Sequence, residues 1–270
     1  MSPARPSPLN LLLHGTLLLL AVALAAWEPF MARWERWLLA DPWWRSLGGL
    51  WGLALLGTWV PIGLYHGLDT RRAPAWLYRY KLQPARTRLG EPTVAEALRL
   101  GLLNTLLVLP LCLGLATALL RLRGWAPSAE LPSLPRLLVQ LVVLASITDF
   151  VFYLGHRALH RPWWMARVHE LHHRWTAPTG LASQYQHPLE FALTGVGPLA
   201  VAVLILAPDL ATIALFTLLG SINVVVTHSG YALPFATHAG YHDLHHARTV
   251  GNFGVTPLWD RIFGTRLAEG

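Results

Sequence analysis

The chain has 270 residues, 54% of them hydrophobic and only 13% charged, with a mean hydropathy of +0.41. A soluble domain carries about 25% charged residues, and neither disorder nor a collagen-like repeat fits this composition. The formal charge of +7, from 21 basic against 14 acidic residues, reads as the basic loops of a membrane protein and not as a nucleic-acid binder.

Charge-free stretches locate the spans. Pro6–Trp27, Ser46–Leu68 and Leu100–Leu120 contain no Asp, Glu, Lys or Arg, and about 20 apolar residues cross a hydrocarbon core. Arg5, the leucine-rich run and Ala23-Leu24-Ala25 give the first of these a signal-peptide flavour. Its length and the spans behind it favour a retained helix. Trp27, Trp34, Trp37, Trp43 and Trp44 form an interfacial aromatic belt. The loop Tyr65–Ala97 holds Arg71, Arg72, Arg79, Lys81, Arg86 and Arg88, the densest basic cluster, and is expected on the cytoplasmic side. Thr93 and Glu96 are spaced as a capping box opening the third span. The single cysteine, Cys112, lies in an apolar run and allows no intrachain disulfide. Leu137–Gly155 is a fourth span carrying one acid, Asp149. Phe191–Ala207 and Leu210–Val226 follow, each short enough to cross a thin region or to form a re-entrant hairpin, with Asp209 placed to cap the second. The reading is an all-α, polytopic membrane bundle. Residues 1–136 supply N-terminal helices and a basic loop, and residues 137–270 form the second part, which carries most of the histidines. Twenty arginines against one lysine, Lys81, point to a GC-rich bacterial gene and hence a bacterial inner membrane, an argument about codons and not physics.

Eleven of the thirteen histidines fall between His156 and His246. Three clusters stand out: His156-Arg-Ala-Leu-His160, His169-Glu-Leu-His172-His173 and His242-Asp-Leu-His245-His246. Positions i, i+3 and i+4 of a helix share a face, so each cluster presents two or three imidazoles together. A lone H-x-x-x-H arises by chance; three clusters, two with identical spacing, point to metal. Counting crossings puts all three at one membrane face, where they can converge. They supply eight ligands, with His187 and His228 as two more. A tetrahedral zinc takes four, so two metals are expected, and imidazole alone does not choose between iron, zinc, copper and nickel. His14, His66 and His238 are left out as packing, interfacial or loop residues.

Asp149, Tyr153, His156 and His160 share one helix face by spacing. A carboxylate there could accept the second ring N–H of a ligating histidine; a cap or a snorkelling residue is the alternative. Glu170, Glu190 and Asp243 lie near histidines and could play the same part.

The run Asp149-Phe-Val-Phe-Tyr153-Leu-Gly-His156-Arg157-Ala-Leu-His160, followed by two H-x-x-H-H boxes, resembles the fatty acid hydroxylase/sterol desaturase superfamily. His172 through Glu190 is closest to the C-4 methylsterol oxidase branch. His228-Ser-Gly-Tyr231, Asn252-Phe-Gly and Trp259-Asp-Arg-Ile-Phe-Gly-Thr265 also resemble the cholesterol 25-hydroxylase branch. The resemblance implies a membrane-embedded non-haem diiron oxygenase. Its ligands would be His156, His160, His169, His172, His173, His242, His245 and His246, with His228 and His187 added. It would hydroxylate a C–H bond of a sterol-like, isoprenoid or fatty acyl lipid with O2 and two electrons. No cytochrome b5-like domain is fused to this chain, so electrons, ultimately from NAD(P)H, are expected from a separate ferredoxin- or cytochrome b5-type protein. Arg157, Arg161, Arg167 and Arg174 are its candidate docking surface, against the simpler reading of positive-inside retention. A desaturase with the same site, a membrane zinc hydrolase and a non-enzymatic metal carrier or haem protein are the other readings.

Overall fold

The computed structural model describes residue 33 and residues 42–83, 92–128, 130–233 and 238–268. The first apolar segment, His14, Arg86 and Arg88 lie outside the described residues. Among those described, the chain is helical, and the lone β-bridge pairs Lys81 with Tyr231.

The helices are α1 (Pro42–Arg71), α2 (Ala75–Tyr78), α3 (Val94–Leu122), α4 (Leu134–Leu159), α5 (162–173), α6 (Pro188–Leu206), α7 (Leu210–His228), α8 (His238–Arg248) and α9 (Pro257–Ile262). Five of them are long and apolar enough to cross a membrane: α1 from Trp43, α3, α4, α6 and α7. At 1.5 Å per residue the shortest of these, of 19 residues, reaches about 28 Å, close to the hydrocarbon thickness. Their outer faces stay apolar, with Leu56, Leu111, Val142 and Ile205 all exposed. Helices suit that setting because every backbone group is paired within the segment.

Local chemistry sets the ends. Thr93 and Glu96 close the expected capping box: Thr93 N donates to Glu96 Oε2 at 2.7 Å and Glu96 N to Thr93 Oγ1 at 3.2 Å. Ala207 turns left-handed (φ 47°) to end α6. Asp209 stands at the N-cap position just before α7, but its side chain does not cap the helix. Its carboxylate meets the Arg136 guanidinium at 2.8 and 2.9 Å, because a bidentate charged partner outweighs a backbone amide.

Two apolar cores occupy opposite ends of the bundle. Leu50, Leu144, Leu210 and Ile213 fill one, and Ile62, Tyr65, Trp175, Tyr185, Val225 and Tyr231 fill the other. Between them α1 touches α7 closely enough that a Cβ on Gly57 would lie 2.8 Å from Leu218 O, the small-residue contact that packs membrane helices. Three π-turns interrupt the helices, at Asn104–Val108, Met165–His169 and Phe191–Val196. Such turns cluster at functional sites, and here the second contains His169 and the third begins beside Glu190.

Candidate metal centre

The histidine clusters meet at the end of the bundle that carries the aromatic core. Nine imidazoles sort into two adjacent groups, His156, His160, His169, His173 and His245 in one, and His172, His228, His242 and His246 in the other. Within each group the ligand atoms lie within 4.8 Å of one another. The groups abut, with the His173 and His246 rings 4.8 Å apart and those of His242 and His245 5.5 Å apart.

Helix geometry explains the sorting. At about 100° per residue, i and i+4 differ by about 40°, whereas i+3 and i+4 differ by about 100°. Each H-x-x-H-H box therefore gives its outer pair to one group and its middle histidine to the other. His169 and His173 go to the five-histidine group and His172 to the four-histidine group; His242 and His246 go to the latter and His245 to the former. The ends of α4 and α7 add His156 with His160, and His228.

The Nε2 atoms face inward. In the five-histidine group His156 and His169 approach to 3.1 Å, His160 and His169 to 3.0 Å, His173 and His169 to 3.0 Å, and His245 and His173 to 3.2 Å. In the other group the spacings are 3.2 Å for His172 and His228, 2.8 Å for His228 and His242, and 3.1 Å for His242 and His246. Ligands about 2.1 Å from one ion stand about 3.0 Å apart at right angles and about 3.4 Å apart in a tetrahedron. The observed spacings of 2.8–3.2 Å are of the size expected for donors that would share one ion.

Six of the nine opposite ring nitrogens are hydrogen-bonded, while His173 Nδ1 is buried without a hydrogen-bond partner. Nδ1 of His156 donates to Phe253 O (2.7 Å), His245 to Gly251 O (2.7 Å), His228 to Val224 O (2.7 Å), His246 to Trp175 O (3.0 Å) and, more weakly, His172 to Tyr185 O (3.4 Å). His169 Nδ1 donates to Glu190 Oε1 at 2.8 Å, with both side chains fully buried. A carbonyl oxygen only accepts, so the proton sits on Nδ1 and a bare lone pair points from Nε2 into the centre. Burial, then repulsion from neighbouring imidazoles, holds His169, His172, His173 and His242 well below the usual histidine range, and burial pushes His160 down to about 3. Neutral rings with converging lone pairs repel one another unless a cation lies between them. The donor set fits a metal pair.

Three residues expected at the site stand apart from the two imidazole groups. His187 joins neither group: it stands at the start of α6, where its Nδ1 accepts from Leu189 N at 3.1 Å. Asp149 touches no histidine. It accepts from Val255 N (2.9 Å), Thr256 N (3.3 Å) and Thr256 Oγ1 (2.5 Å), tying α4 to the segment before α9. Tyr153 meets Thr265 Oγ1 at 3.2 Å, receives Arg157 at 2.9 Å and stacks on Phe263. The shared face of α4 is thus split lengthwise, with the acid and phenol anchoring the C-terminal segment and the histidines facing the centre. The ring-orienting carboxylate is Glu190, while Glu170 is exposed and Asp243 binds Gln83. His66 lies on α1 outside both groups.

Sequence reasoning passed over Asp260. Wholly buried, it accepts from Tyr241 Oη (2.6 Å), Phe253 N (2.9 Å), Gly254 N (2.7 Å) and Thr265 Oγ1 (2.6 Å). It fixes the loop whose carbonyls hold His156 and His245. Its place in Trp259-Asp-Arg was the available signal, but nothing in that spacing tells a loop anchor from a surface acid.

Residues 141–265 match the family model described as fatty acid hydroxylase. The human "Fatty acid hydroxylase domain-containing protein 2" is 30% identical over 87% of this chain and 72% of its own length. Methylsterol monooxygenase 2-2 of Arabidopsis thaliana is 34% identical over 70% of this chain and 75% of its own. The very-long-chain aldehyde decarbonylase GL1-11 of Oryza sativa subsp. indica is 33% identical over 62% and 67%. No solved structure matches. With its histidine groups, its apolar helices and these relatives, the chain belongs to the fatty acid hydroxylase family.

Proposed function

We propose that this protein is a non-haem diiron oxygenase that hydroxylates a C–H bond of a membrane lipid, sterol-like, isoprenoid or fatty acyl, using O2 and two electrons. The observation that carries the reading is the pair of adjacent groups of inward-facing imidazoles, five and four, in a chain of this family. Five donors exceed the four of a tetrahedral zinc, which favours iron over a zinc hydrolase. Iron supplies the redox chemistry with O2 that no side chain provides.

This chain's own residues do the rest. Glu190 and the backbone carbonyls of Gly251, Phe253 and Trp175 fix the tautomers and aim the lone pairs. The buried Trp175, Tyr185, Phe253 and Leu181 keep water from the centre. The apolar outer faces of the spans bring the lipid within reach laterally. Exposed Arg157, in the last turn of α4, and Arg161, Arg167 and Arg174, on or beside α5, suit a separate acidic donor of ferredoxin or cytochrome b5 type, fed by NAD(P)H. The basic loop between α1 and α3 sets the metal face toward the cytoplasm, and arginine usage supports a bacterial inner membrane. Residues 137–270 carry the ligands.

Lipid mass spectrometry of host cells with and without the gene tests this reading. A species heavier by one oxygen atom supports hydroxylation, one lighter by two hydrogens indicates desaturation by the same centre, and an unchanged lipid profile with the protein iron-loaded counts against both.

A further inference from the structure

The five-histidine group is held by the C-terminal loop around Asp260. The four-histidine group has a different support, from the other half of the chain. After α1 and α2 the backbone at residues 80–82 pairs with the segment just beyond α7: Leu82 N donates to Gly230 O at 2.9 Å and Ala232 N to Tyr80 O at 3.0 Å. Between them Lys81, the chain's one lysine, turns inward. Its Nζ donates to Ser229 O at 2.8 Å and meets Asp69 Oδ1 at 3.0 Å, with both side chains buried, and it lies 4.7 Å over the Tyr231 ring. Tyr231 Oη donates to the same Asp69 at 2.9 Å. Ser229 follows His228 directly, so Lys81 holds a backbone carbonyl at the end of the helix that delivers this ligand.

Gln83 acts on the remaining elements. Its Nε2 donates to the Asp243 carboxylate at 2.8 Å to each oxygen and lies 3.4 Å from Thr176 O. Asp243 follows His242. Thr176 follows Trp175, whose carbonyl accepts from His246 Nδ1. Two of the four ligands in this group, His228 and His242, thus directly adjoin a residue bonded to the 80–83 segment, and His246 is linked to it through Trp175 and Thr176. Gly230 shows how tight the fit is: at φ +70° a Cβ would lie 2.8 Å from Pro178 O and 3.3 Å from Lys81 Nζ.

We propose that residues 80–83 form a strap that positions the four-histidine group, with Lys81 and Gln83 as its positioning residues, so that the two metal ions are held by separate scaffolds and the second can be lost alone. The inference rests on the metal-centre reading above. A fixed outer partner typically contributes ~10–100-fold in metal affinity, and the ligands directly beside the strap's contacts at Ser229 and Asp243, His228 and His242, both belong to the four-histidine group.

The test is anaerobic loading with iron(II), the metal count per chain, and the magnetic coupling between ions after oxidation. Lys81→Met alone would leave Asp69 buried without its cation, so the informative variant is Lys81→Met with Asp69→Asn, which removes both charges. Gln83→Ala is an independent second variant. Wild type should bind two coupled irons. The double variant should keep one, with the signal of an isolated ion, and Gln83→Ala should bind its second iron at least ~10-fold more weakly. Variants that keep both irons at wild-type affinity, or lose both together, overturn the strap. A wild-type chain that never holds two irons removes the metal-centre reading itself, a distinguishable result.

Discussion

The two histidine groups look alike in chemistry and differ in how they are held. Each draws an i, i+4 pair and a middle histidine from the two H-x-x-H-H boxes. The five-histidine group adds His156 and His160 and leans on Glu190 and on a loop fixed by the wholly buried Asp260. The four-histidine group adds only His228 and leans on carbonyls of residues 175, 185 and 224 and on the segment from the α1–α3 connection. One sequence motif thus feeds two sites, while the supporting contacts, far apart in the chain, make the sites unequal.

The largest effect should come from breaking one group at a time. His245→Ala removes a donor from the five-histidine group and His172→Ala one from the four-histidine group; each should cost more than the ~10–100-fold of an outer partner and abolish lipid oxidation. Iron content should fall in both. If His172→Ala and His245→Ala leave turnover intact, the two-group centre is wrong.

Next in size is Glu190→Gln. The amide oxygen can still accept from His169, but the charge that makes this ring a better donor is gone. A loss of ~10–100-fold in metal affinity or activity is expected, confined to the five-histidine group. Titration with iron(II) checks it, and equal weakening of both groups would erase the contrast between them.

Asp149→Asn should act on stability and not on metal. The carboxylate takes three hydrogen bonds from Val255 and Thr256 and none from a histidine. Leaving a buried partner unsatisfied costs roughly 1–3 kcal/mol, so thermal unfolding should shift down while the folded protein keeps its iron. Smaller still, His187→Ala should cost about 1 kcal/mol or less as a lost helix-start contact. His66→Ala should do little. Iron content should be unchanged in both, and iron lost from His187→Ala would return that residue to the centre.

Much of this was legible in the chain itself. Runs with one charge or none marked every described span, because a hydrocarbon core tolerates little else, and helical periodicity marked eight of the ten histidines named as ligands, His228 coming from the family resemblance. The tenth, His187, shared the motif's company but not its geometry, since the turn at Pro188 makes its ring a cap. Asp149 misled for a related reason: spacing fixes which face of α4 it occupies, but not how far along that face its partners lie. Glu190 was one of several acids near histidines, and only the fold brings it to His169 across 21 positions. Lys81 and Gln83 were invisible, because a contact spanning 148 residues to Ser229 or 160 to Asp243 leaves no periodic trace.

The proposed centre is nine imidazoles holding two irons for lipid oxidation. Its most direct test is one reconstitution: protein purified anaerobically, loaded with iron(II), counted for metal, and supplied with lipid, O2 and a reduced donor. Two irons per chain and a lipid product carrying one added oxygen atom are expected, both absent from the zinc-loaded form. Two bound irons with unaltered lipid, or lipid oxidation by the zinc-loaded protein, would contradict it.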